Sequence, residues 1–196
     1  MCLTVTDGND NTPTCVATVT VVDLIPPAFT CPDPITAVCA ADEQPVYADL
    51  ATFLAAPGAA ADDNCALDAA SFILESETDN GLSCPKTITR VYRVADQSGN
   101  TATCVQTVTV DDEEDPTIDC SQIPTALTTV MGECFHQVVG TSLDPTFDDN
   151  CTATLTNDFN GTSTLGGAIL PLGSTTVTWT VLDACGNENA CQVTYM

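Results

Sequence analysis

The stretch that decides the fold is Val91-Tyr92-Arg93-Val94-Ala95-Asp96-Gln97-Ser98-Gly99-Asn100-Thr101-Ala102-Thr103-Cys104-Val105-Gln106-Thr107-Val108-Thr109-Val110. Apolar residues alternate with polar ones, mostly threonine, on both sides of the Gly99-Asn100 pair. A period of two is typical of half-buried strands. Asp, Gly and Asn tolerate the positive φ angles of a tight turn. The stretch therefore predicts an antiparallel hairpin with one apolar face.

This hairpin pattern recurs twice, in residues 3–21 and in residues 179–195. A two-stranded hairpin is marginally stable in water, so each copy needs a larger sheet to cover its apolar face. Three cysteine pairs mark the period: Cys15 and Cys104 are 89 residues apart, Cys31 and Cys120 are 89 apart, and Cys104 and Cys191 are 87 apart. A repeat of this length is a domain rather than a coil of a solenoid.

The repeat predicts three segments. Residues 1–23, called here the N-terminal hairpin, are predicted to be the C-terminal hairpin of a preceding or partner domain. Residues 27–112 and 116–196 are predicted to be two complete domains, and the proline-containing linkers before them have limited freedom. Short strands and turn signals over this period predict an all-β fold of tandem immunoglobulin-like antiparallel β-sandwiches, stapled by disulfides.

The composition narrows the range of functions. The chain has 196 residues, three basic and 27 acidic side chains, and a formal net charge of −24. Such a field repels nucleic acid and anionic lipid and attracts divalent cations, and it also keeps a repeat protein soluble. No stretch is long enough to span a bilayer or has the form of a signal peptide. His136 is the single histidine, so a Ser-His-Asp or Cys-His pair, a His-rich metal site or a proton relay could be built only around this one group, and no enzymatic activity is predicted.

Twelve cysteines without a CxxC motif or a zinc-finger spacing predict disulfides and an extracellular or cell-surface location. The preferred pairs are Cys39 with Cys104 and Cys134 with Cys191, because a cysteine that starts an early strand should lie near one in the last strand. Other pairings stay open: Cys31 or Cys84 with Cys65, and Cys120 or Cys185 with Cys151. Cys2 and Cys15 are left in the N-terminal hairpin. Each bridge is expected to contribute about 2–4 kcal/mol.

Two acidic segments offer oxygen ligands for a hard cation such as Ca²⁺. The first is the turn that contains Asp7, Asn9 and Asp10, and the second is the linker that contains Asp112, Glu114 and Asp115. A solvated turn and a charged linker are the alternatives. No cofactor is required, and calcium is the candidate ion. The other paired acids, Asp62, Asp63, Asp148 and Asp149, are interpreted as loop carboxylates.

Two triplets fit the pattern of N-glycosylation. They are Asn150-Cys151-Thr152 and Asn160-Gly161-Thr162, so Asn150 and Asn160 are the candidate acceptors.

Several separated motifs resemble the HYR (hyalin repeat) family of extracellular modules. They are Pro-x-apolar-x-Cys at the start of each domain, Asp-Asn-Cys in the middle, Leu170-Pro171-Leu172-Gly173 before the penultimate strand and Asp-x-x-Gly-Asn-x-x-x-Cys near the end. The first domain differs, since it has Leu82-Ser83-Cys84-Pro85 where the second has the Pro-Leu-Gly turn. The resemblance implies an immunoglobulin-like, non-catalytic spacer in adhesins, large bacterial surface proteins and matrix-associated proteins.

The predicted function is that of a structural subunit or segment of an extracellular filament, assembled end to end and without membrane insertion. The N-terminal hairpin exposes unpaired edges and an apolar face, so strand complementation by another copy, or by an adjacent domain of the same long chain, would complete it. The alternatives are an adhesin or matrix-binding module and a spacer attached to an enzyme. The residues predicted to take part in assembly are Leu3, Val5, Cys15, Ala17, Val19 and Val21.

Overall fold

The structure, a computed structural model, describes residues 2–12, 14–129 and 131–196. The side chains of Cys2, Thr14 and Cys15 lie outside this description, and so does the predicted role of Cys15 in assembly. The described chain is almost entirely β, which confirms the predicted all-β, immunoglobulin-like and disulfide-stapled fold. No described helix is long and apolar enough to cross a membrane.

The elements are short at the start of each repeat and long in its hairpins. In the first half they are β1 (Cys2–Thr4), β2 (Thr14–Val16), β3 (Ala28–Thr30), β4 (Ile35–Ala37), a 3₁₀ turn (Ala41–Glu43), α1 (Leu50–Leu54), β5 (Ala60–Asp62), β6 (Leu67–Asp79), β7 (Lys86–Asp96) and β8 (Thr101–Val110). In the second half they are β9 (Thr117–Asp119), β10 (Phe135–Gln137), β11 (Thr146–Asp148), β12 (Ala153–Asn157), β13 (Ile169–Pro171), β14 (Thr175–Asp183) and β15 (Glu188–Tyr195).

Six sheets connect these strands. The largest has the order β4-β8-β7-β6, in which β4 runs parallel to β8, and a three-stranded antiparallel sheet has the order β12-β14-β15. Four two-stranded antiparallel sheets join β1 to β2, β3 to β5, β9 to β11 and β10 to β13. The β3–β5 and β9–β11 pairs are repeat-related, because each joins the first strand of a predicted domain to the strand before its Asp-Asn-Cys loop.

The chain divides into two compact units, whose segments alternate along the sequence. The first comprises Met1–Pro32, Tyr47–Glu75 and Val91–Val105, and the second Asp33–Val46, Ser76–Arg90 and Gln106–Met196. The domain limits 27–112 and 116–196 stay a prediction.

The first unit has an aromatic core. Phe53 and Tyr92 are fully buried, and the rings of Phe29, Tyr47 and Phe72 pack around them at centroid distances of 5.0–6.5 Å. Phe53 comes from α1, whose five residues begin after the capping carboxylate of Asp49. The short helix therefore contributes two buried side chains, Leu50 and the aromatic ring of Phe53, to this core.

The second unit has two aliphatic clusters. The larger surrounds Trp179, which is fully buried, with inward residues of β12, β14 and β15. A smaller cluster joins Ala37, Ile88, Val108 and Val110. Both clusters use every second residue of their strands, which is the alternation that the sequence pattern predicts.

The N-terminal hairpin has the turn of the other two hairpins but not their burial. The N–H of Asp7, Asp96 and Asp183 donates to the carbonyl of the asparagine four residues later, at 3.0, 3.0 and 3.1 Å. Leu3 is 51% exposed, whereas the residues at the equivalent positions, Tyr92 and Trp179, are fully buried. The apolar face of this hairpin is thus left uncovered by the described chain.

The preferred disulfide pairs were wrong. The structure joins Cys31 to Cys104 and Cys120 to Cys191, while Cys134 is free and exposed. A cysteine near an early strand does bond to one in the last strand, but that cysteine is the first of each predicted domain, Cys31 or Cys120. It directly follows β3 or β9, and β9 packs beside β15.

The remaining pairs also differ from the open alternatives. Cys39 is bonded to Cys151 and Cys84 to Cys185, and Cys65 is free and exposed. These two bridges tie residues 33–46 and 76–90 to residues 106–196, so they contribute to holding the second unit together. Spacing within one repeat could not predict them, because they join cysteines that belong to different repeats.

Candidate metal centre

Three aspartates come together in each unit. The first cluster consists of Asp23, Asp63 and Asp96, and the second of Asp112, Asp149 and Asp183. Within each cluster, one carboxylate oxygen from every aspartate lies within 4.8 Å of the other two. The two clusters therefore gather three potential anionic ligands each.

The clusters are repeat-related residue by residue. Asp23 and Asp112 lie in the linkers, a few residues before the first strand of a predicted domain. Asp63 and Asp149 precede the Asn-Cys pair of the middle loop, and Asp96 and Asp183 end the first strand of the repeated hairpin. The fold thus assembles the same site twice from three distant parts of the sequence.

The turn aspartates are fixed by their own loops. Asp183 Oδ1 accepts hydrogen bonds from the backbone N–H of Cys185, Gly186 and Asn187, and its Oδ2 accepts one from the side chain of Asn187. Burial alone raises the pKa of Asp183, but the Asn187 side chain and these N–H groups outweigh it and lower that pKa. Asp183 is therefore ionised at neutral pH.

Asp96 repeats this geometry with two backbone donors. Its Oδ1 accepts from Ser98 N–H and Asn100 N–H, each at 2.8 Å, and its Oδ2 accepts from the Asn100 side chain at 2.7 Å. The side chain of Asn100 also contacts the linker, because its amide nitrogen donates to the carbonyl oxygen of Asp23 at 3.2 Å. In the second cluster Asn187 reaches the carbonyl oxygen of Asp112 at 2.8 Å. One side chain thereby positions two of the three aspartates.

Each linker aspartate accepts two hydrogen bonds through its Oδ1. Asp112 Oδ1 accepts from Glu114 N–H at 3.1 Å and from the Asn150 side chain at 3.0 Å. Asp23 Oδ1 accepts from Ile25 N–H at 3.0 Å and from the Asn64 side chain at 3.3 Å. The Ile25 bond is the main cause of the lowered pKa of Asp23.

The second oxygen of four aspartates is buried without a hydrogen-bond partner. These oxygens are Oδ2 of Asp23 and Asp112 and Oδ1 of Asp63 and Asp149. Asp112 as a whole is only 4% exposed. Buried polar atoms in native proteins nearly always have a partner, and no protein group fills that role at these equivalent atoms of the two clusters, so the oxygens are available to bind a ligand.

No basic side chain of the described chain neutralises either cluster. The chain has three basic residues, and each forms an ion pair elsewhere: Lys86 with Asp79, Arg90 with Glu77 and Arg93 with Glu75. The carboxylates of each cluster therefore repel one another without compensation from a basic side chain.

The cation ligands predicted from the sequence are only partly brought together. Asp112 belongs to the second cluster, Glu114 contributes its backbone N–H to Asp112, and Asp115 is not among the clustered ligands. Asp7 uses both oxygens to accept from Asn9 and Asn11, and no group of three ligands forms around Asp7, Asn9 and Asp10 in the described chain. That turn is closed by hydrogen bonds within itself.

The interpretation of Asp63 and Asp149 as ordinary loop carboxylates missed their place in the clusters. The signal was present, because the Asp-Asn-Cys loop and the Asp-x-x-x-Asn turn both recur with the period of the domain. The sequence does not show that the fold brings the linker, the loop and the turn to one place.

Other predicted sites have ordinary surroundings. Asn160 donates to the carbonyl of Thr164, and the Asn150 side chain donates to Asp112, so glycan attachment at Asn150 would compete with that contact. His136 Nδ1 lies 2.6 Å from the carbonyl oxygen of Thr128, to which it donates. Glycosylation at both asparagines stays a prediction.

The fold, the bridges and the repeated loops define a class of protein, the disulfide-stapled, immunoglobulin-like repeat module. Residues 111–195 match the HYR domain family, the family that the motifs predicted. The chain is also similar to a protein of Rattus norvegicus, "Sushi, von Willebrand factor type A, EGF and pentraxin domain-containing protein 1", with 33% identity over 102 residues. The match covers 52% of this chain and 3% of that protein, so the chain spans a small part of its relative.

Proposed function

We propose that the chain is a non-catalytic structural segment of an extracellular fibre, built of tandem immunoglobulin-like domains joined end to end. The observation that carries this proposal is the uncovered apolar face of the N-terminal hairpin. Leu3 and Val5 are 51% and 65% exposed, whereas Tyr92 and Val94 of the equivalent strand β7 are fully buried. Strands from an adjacent domain, in the same long chain or in another copy, would bury this face.

Two disulfides support a rigid end-to-end arrangement. Cys39 and Cys84 belong to the first predicted domain, and their partners Cys151 and Cys185 belong to the second. Consecutive domains of a fibre would be linked in the same way. Four bridges in the described chain also support an oxidising, extracellular location.

The two cysteines that are free in the described part of the chain occupy positions from which this linkage would continue. Cys65 is the counterpart of Cys151, since each follows the Asp-Asn pair of the middle loop. Cys134 is the counterpart of Cys39. Cys39 follows β4, which pairs with the end of β8, and Cys134 follows residues 125–127, which hydrogen-bond to Met196 just after β15. In the proposed fibre, Cys134 of one segment bonds to the Cys65-type cysteine of the next.

Electron microscopy of the native material tests the fibre directly. Ordered filaments whose axial repeat corresponds to two domains are the expected result. Single particles that stay isolated over the whole accessible range of concentration would reject the proposal.

Oxidation of the recombinant chain tests the direction of linkage. The background carries Cys2→Ser and Cys15→Ser, so that only Cys65 and Cys134 remain to form intermolecular bonds. Mildly alkaline buffer is needed, because hydrogen bonding to the Asp23 carboxylate raises the pKa of the Cys65 thiol. A ladder of covalent oligomers is expected on non-reducing gels.

The single variants Cys65→Ser and Cys134→Ser distinguish the geometries of linkage. A head-to-tail bond needs one cysteine of each kind, so either substitution should abolish the ladder and leave monomers. Covalent dimers in both single variants would show like-with-like pairing and contradict the end-to-end arrangement.

A further inference from the structure

We infer that each aspartate cluster is a calcium site, so that the chain binds two Ca²⁺ ions, one through Asp23, Asp63 and Asp96 and one through Asp112, Asp149 and Asp183. Nothing in this inference depends on fibre assembly, since each cluster is complete within one unit of the described chain.

The spacing of the oxygens fits one ion per cluster. Calcium binds oxygen at about 2.3–2.6 Å, so two oxygens on opposite sides of one ion are about 4.6–5.2 Å apart and adjacent ones are closer. The clustered oxygens lie within 4.8 Å of one another. A single ion therefore contacts all three aspartates after small side-chain adjustments, and water completes its coordination.

The hydrogen bonds of the clustered aspartates leave one carboxylate oxygen of four of them available to bind a cation. In Asp112 and Asp149, one oxygen accepts backbone or amide hydrogens, while the other is buried and has no partner. Because Asp112 is 4% exposed, its vacant Oδ2 has little access to bulk water. Asp23 and Asp63 show the same division between a bonded and a vacant oxygen. A cation is the ligand that satisfies these anionic atoms.

Calcium is favoured over a transition metal because the ligands are all oxygens. No cysteine or histidine is among the three ligands of either cluster, although the Cys65 thiol hydrogen-bonds to the Asp23 carboxylate beside the first one. Magnesium demands a tighter octahedral geometry and retains its water more strongly, so an irregular three-carboxylate site suits calcium better.

The expected consequence is a calcium-dependent joint before each domain. Asp23 and Asp112 lie in the linkers, and their partners lie in a loop and a hairpin turn of the domain that follows. An ion would fix the linker to the loops and thereby limit the freedom of the chain at this point.

Titration calorimetry of the full chain with CaCl₂ tests the stoichiometry. The buffer contains 0.15 M NaCl, which screens non-specific attraction of cations to the acidic surface. Two ions per chain are expected, with a dissociation constant on the order of 10⁻⁴ M, the range of extracellular calcium modules. Absence of binding at millimolar calcium, or an equal affinity for MgCl₂, would overturn the assignment.

Asp149→Asn and Asp63→Asn test the two sites separately. Asparagine keeps one oxygen as acceptor for the loop N–H and replaces the vacant carboxylate oxygen by an amide. Each variant should bind one ion instead of two, with the lost site weakened at least 10-fold. The controls Asp148→Asn and Asp62→Asn change the same charge one residue away and should still bind two.

Thermal unfolding separates a metal site from a purely structural cluster. In EDTA, Asp149→Asn should melt at the same or a higher temperature than the wild type, because carboxylate repulsion is relieved. Saturating calcium should raise the melting temperature of the wild type by roughly 2–8 °C and that of Asp149→Asn by less. A variant that melts lower than the wild type in EDTA, with an unchanged response to calcium, would contradict the inference.

Discussion

At the scale of the residue, the molecule relies on carboxylates that accept several backbone hydrogen bonds. Asp7, Asp96 and Asp183 close the three hairpin turns in the same way. A short side chain with two acceptor oxygens can satisfy consecutive N–H groups of a tight turn, which explains why aspartate recurs at this position. An abundance of acids in the sequence therefore has specific structural uses as well as a solubilising one.

Glu43 gives a prediction at this scale that is independent of the aspartate clusters. Its carboxylate accepts from the N–H of Val38, Cys39 and Ala40 at 2.8, 2.6 and 2.8 Å. These bonds, the one from Val38 first, lower the pKa of Glu43 below its ordinary value of 4.5. Its contribution to stability is therefore fully present above pH 4.5 and is lost as the pH falls through the lowered value.

The substitution Glu43→Gln should lower the melting temperature at pH 7, and its difference from the wild type should shrink towards pH 3. Melting curves from pH 3 to pH 7 measure this difference. Asp42→Asn is the control, because it removes a neighbouring charge that accepts none of the three bonds. A difference that stays constant with pH would show that the Glu43 charge is not involved.

At the scale of the element, the same hairpin occurs in two different states. The β7–β8 and β14–β15 hairpins are covered by a core, and their turn asparagines also hold the linker before the domain. The N-terminal hairpin has the same turn bonds, but its described apolar side chains, such as Leu3 and Val5, are exposed. Equal local structure can therefore contribute very differently to the stability of the whole.

Asn187→Ala and Asn11→Ala test this difference. Asn187→Ala removes the hydrogen bonds to Asp183 and to the Asp112 carbonyl, so a loss of about 1–3 kcal/mol in the free energy of unfolding is expected. Asn11→Ala removes the matching bond to Asp7 only and should change the free energy of unfolding by less than about 0.5 kcal/mol.

Urea unfolding in EDTA is the appropriate measurement, because it excludes any effect through calcium. Equal losses in the two variants would mean that the N-terminal hairpin is part of the cooperative fold and already has a cover for its apolar face.

At the scale of the whole molecule, disulfides replace much of the large core that a small sandwich lacks. The first unit relies on five aromatic rings and the second on an aliphatic cluster around Trp179. Bridges that close long loops remove the most entropy from the unfolded chain. Cys39–Cys151 and Cys84–Cys185 close loops of 112 and 101 residues, so they are expected to be important for global stability.

The double substitution Cys84→Ser/Cys185→Ser should lower the free energy of unfolding by about 2–4 kcal/mol. Urea unfolding under non-reducing conditions measures the loss. Cys134→Ser, at a free and exposed cysteine, is the control and should change stability by less than about 0.5 kcal/mol. A double variant that is as stable as the wild type and has two fewer reactive thiols than the wild type would show that this bridge does not form.

The sequence by itself determined the elements that depend on neighbouring residues. The alternation of Val and Thr, the Asp-to-Asn turns and the 89-residue period predicted the hairpins, the all-β class and the HYR resemblance, because strand period and turn chemistry are local properties. Only the tertiary structure decided which cysteines pair and which aspartates meet. Asp112, Asp149 and Asp183 come from a linker, a loop and a turn, and their meeting depends on strand packing across the fold, which no local spacing encodes.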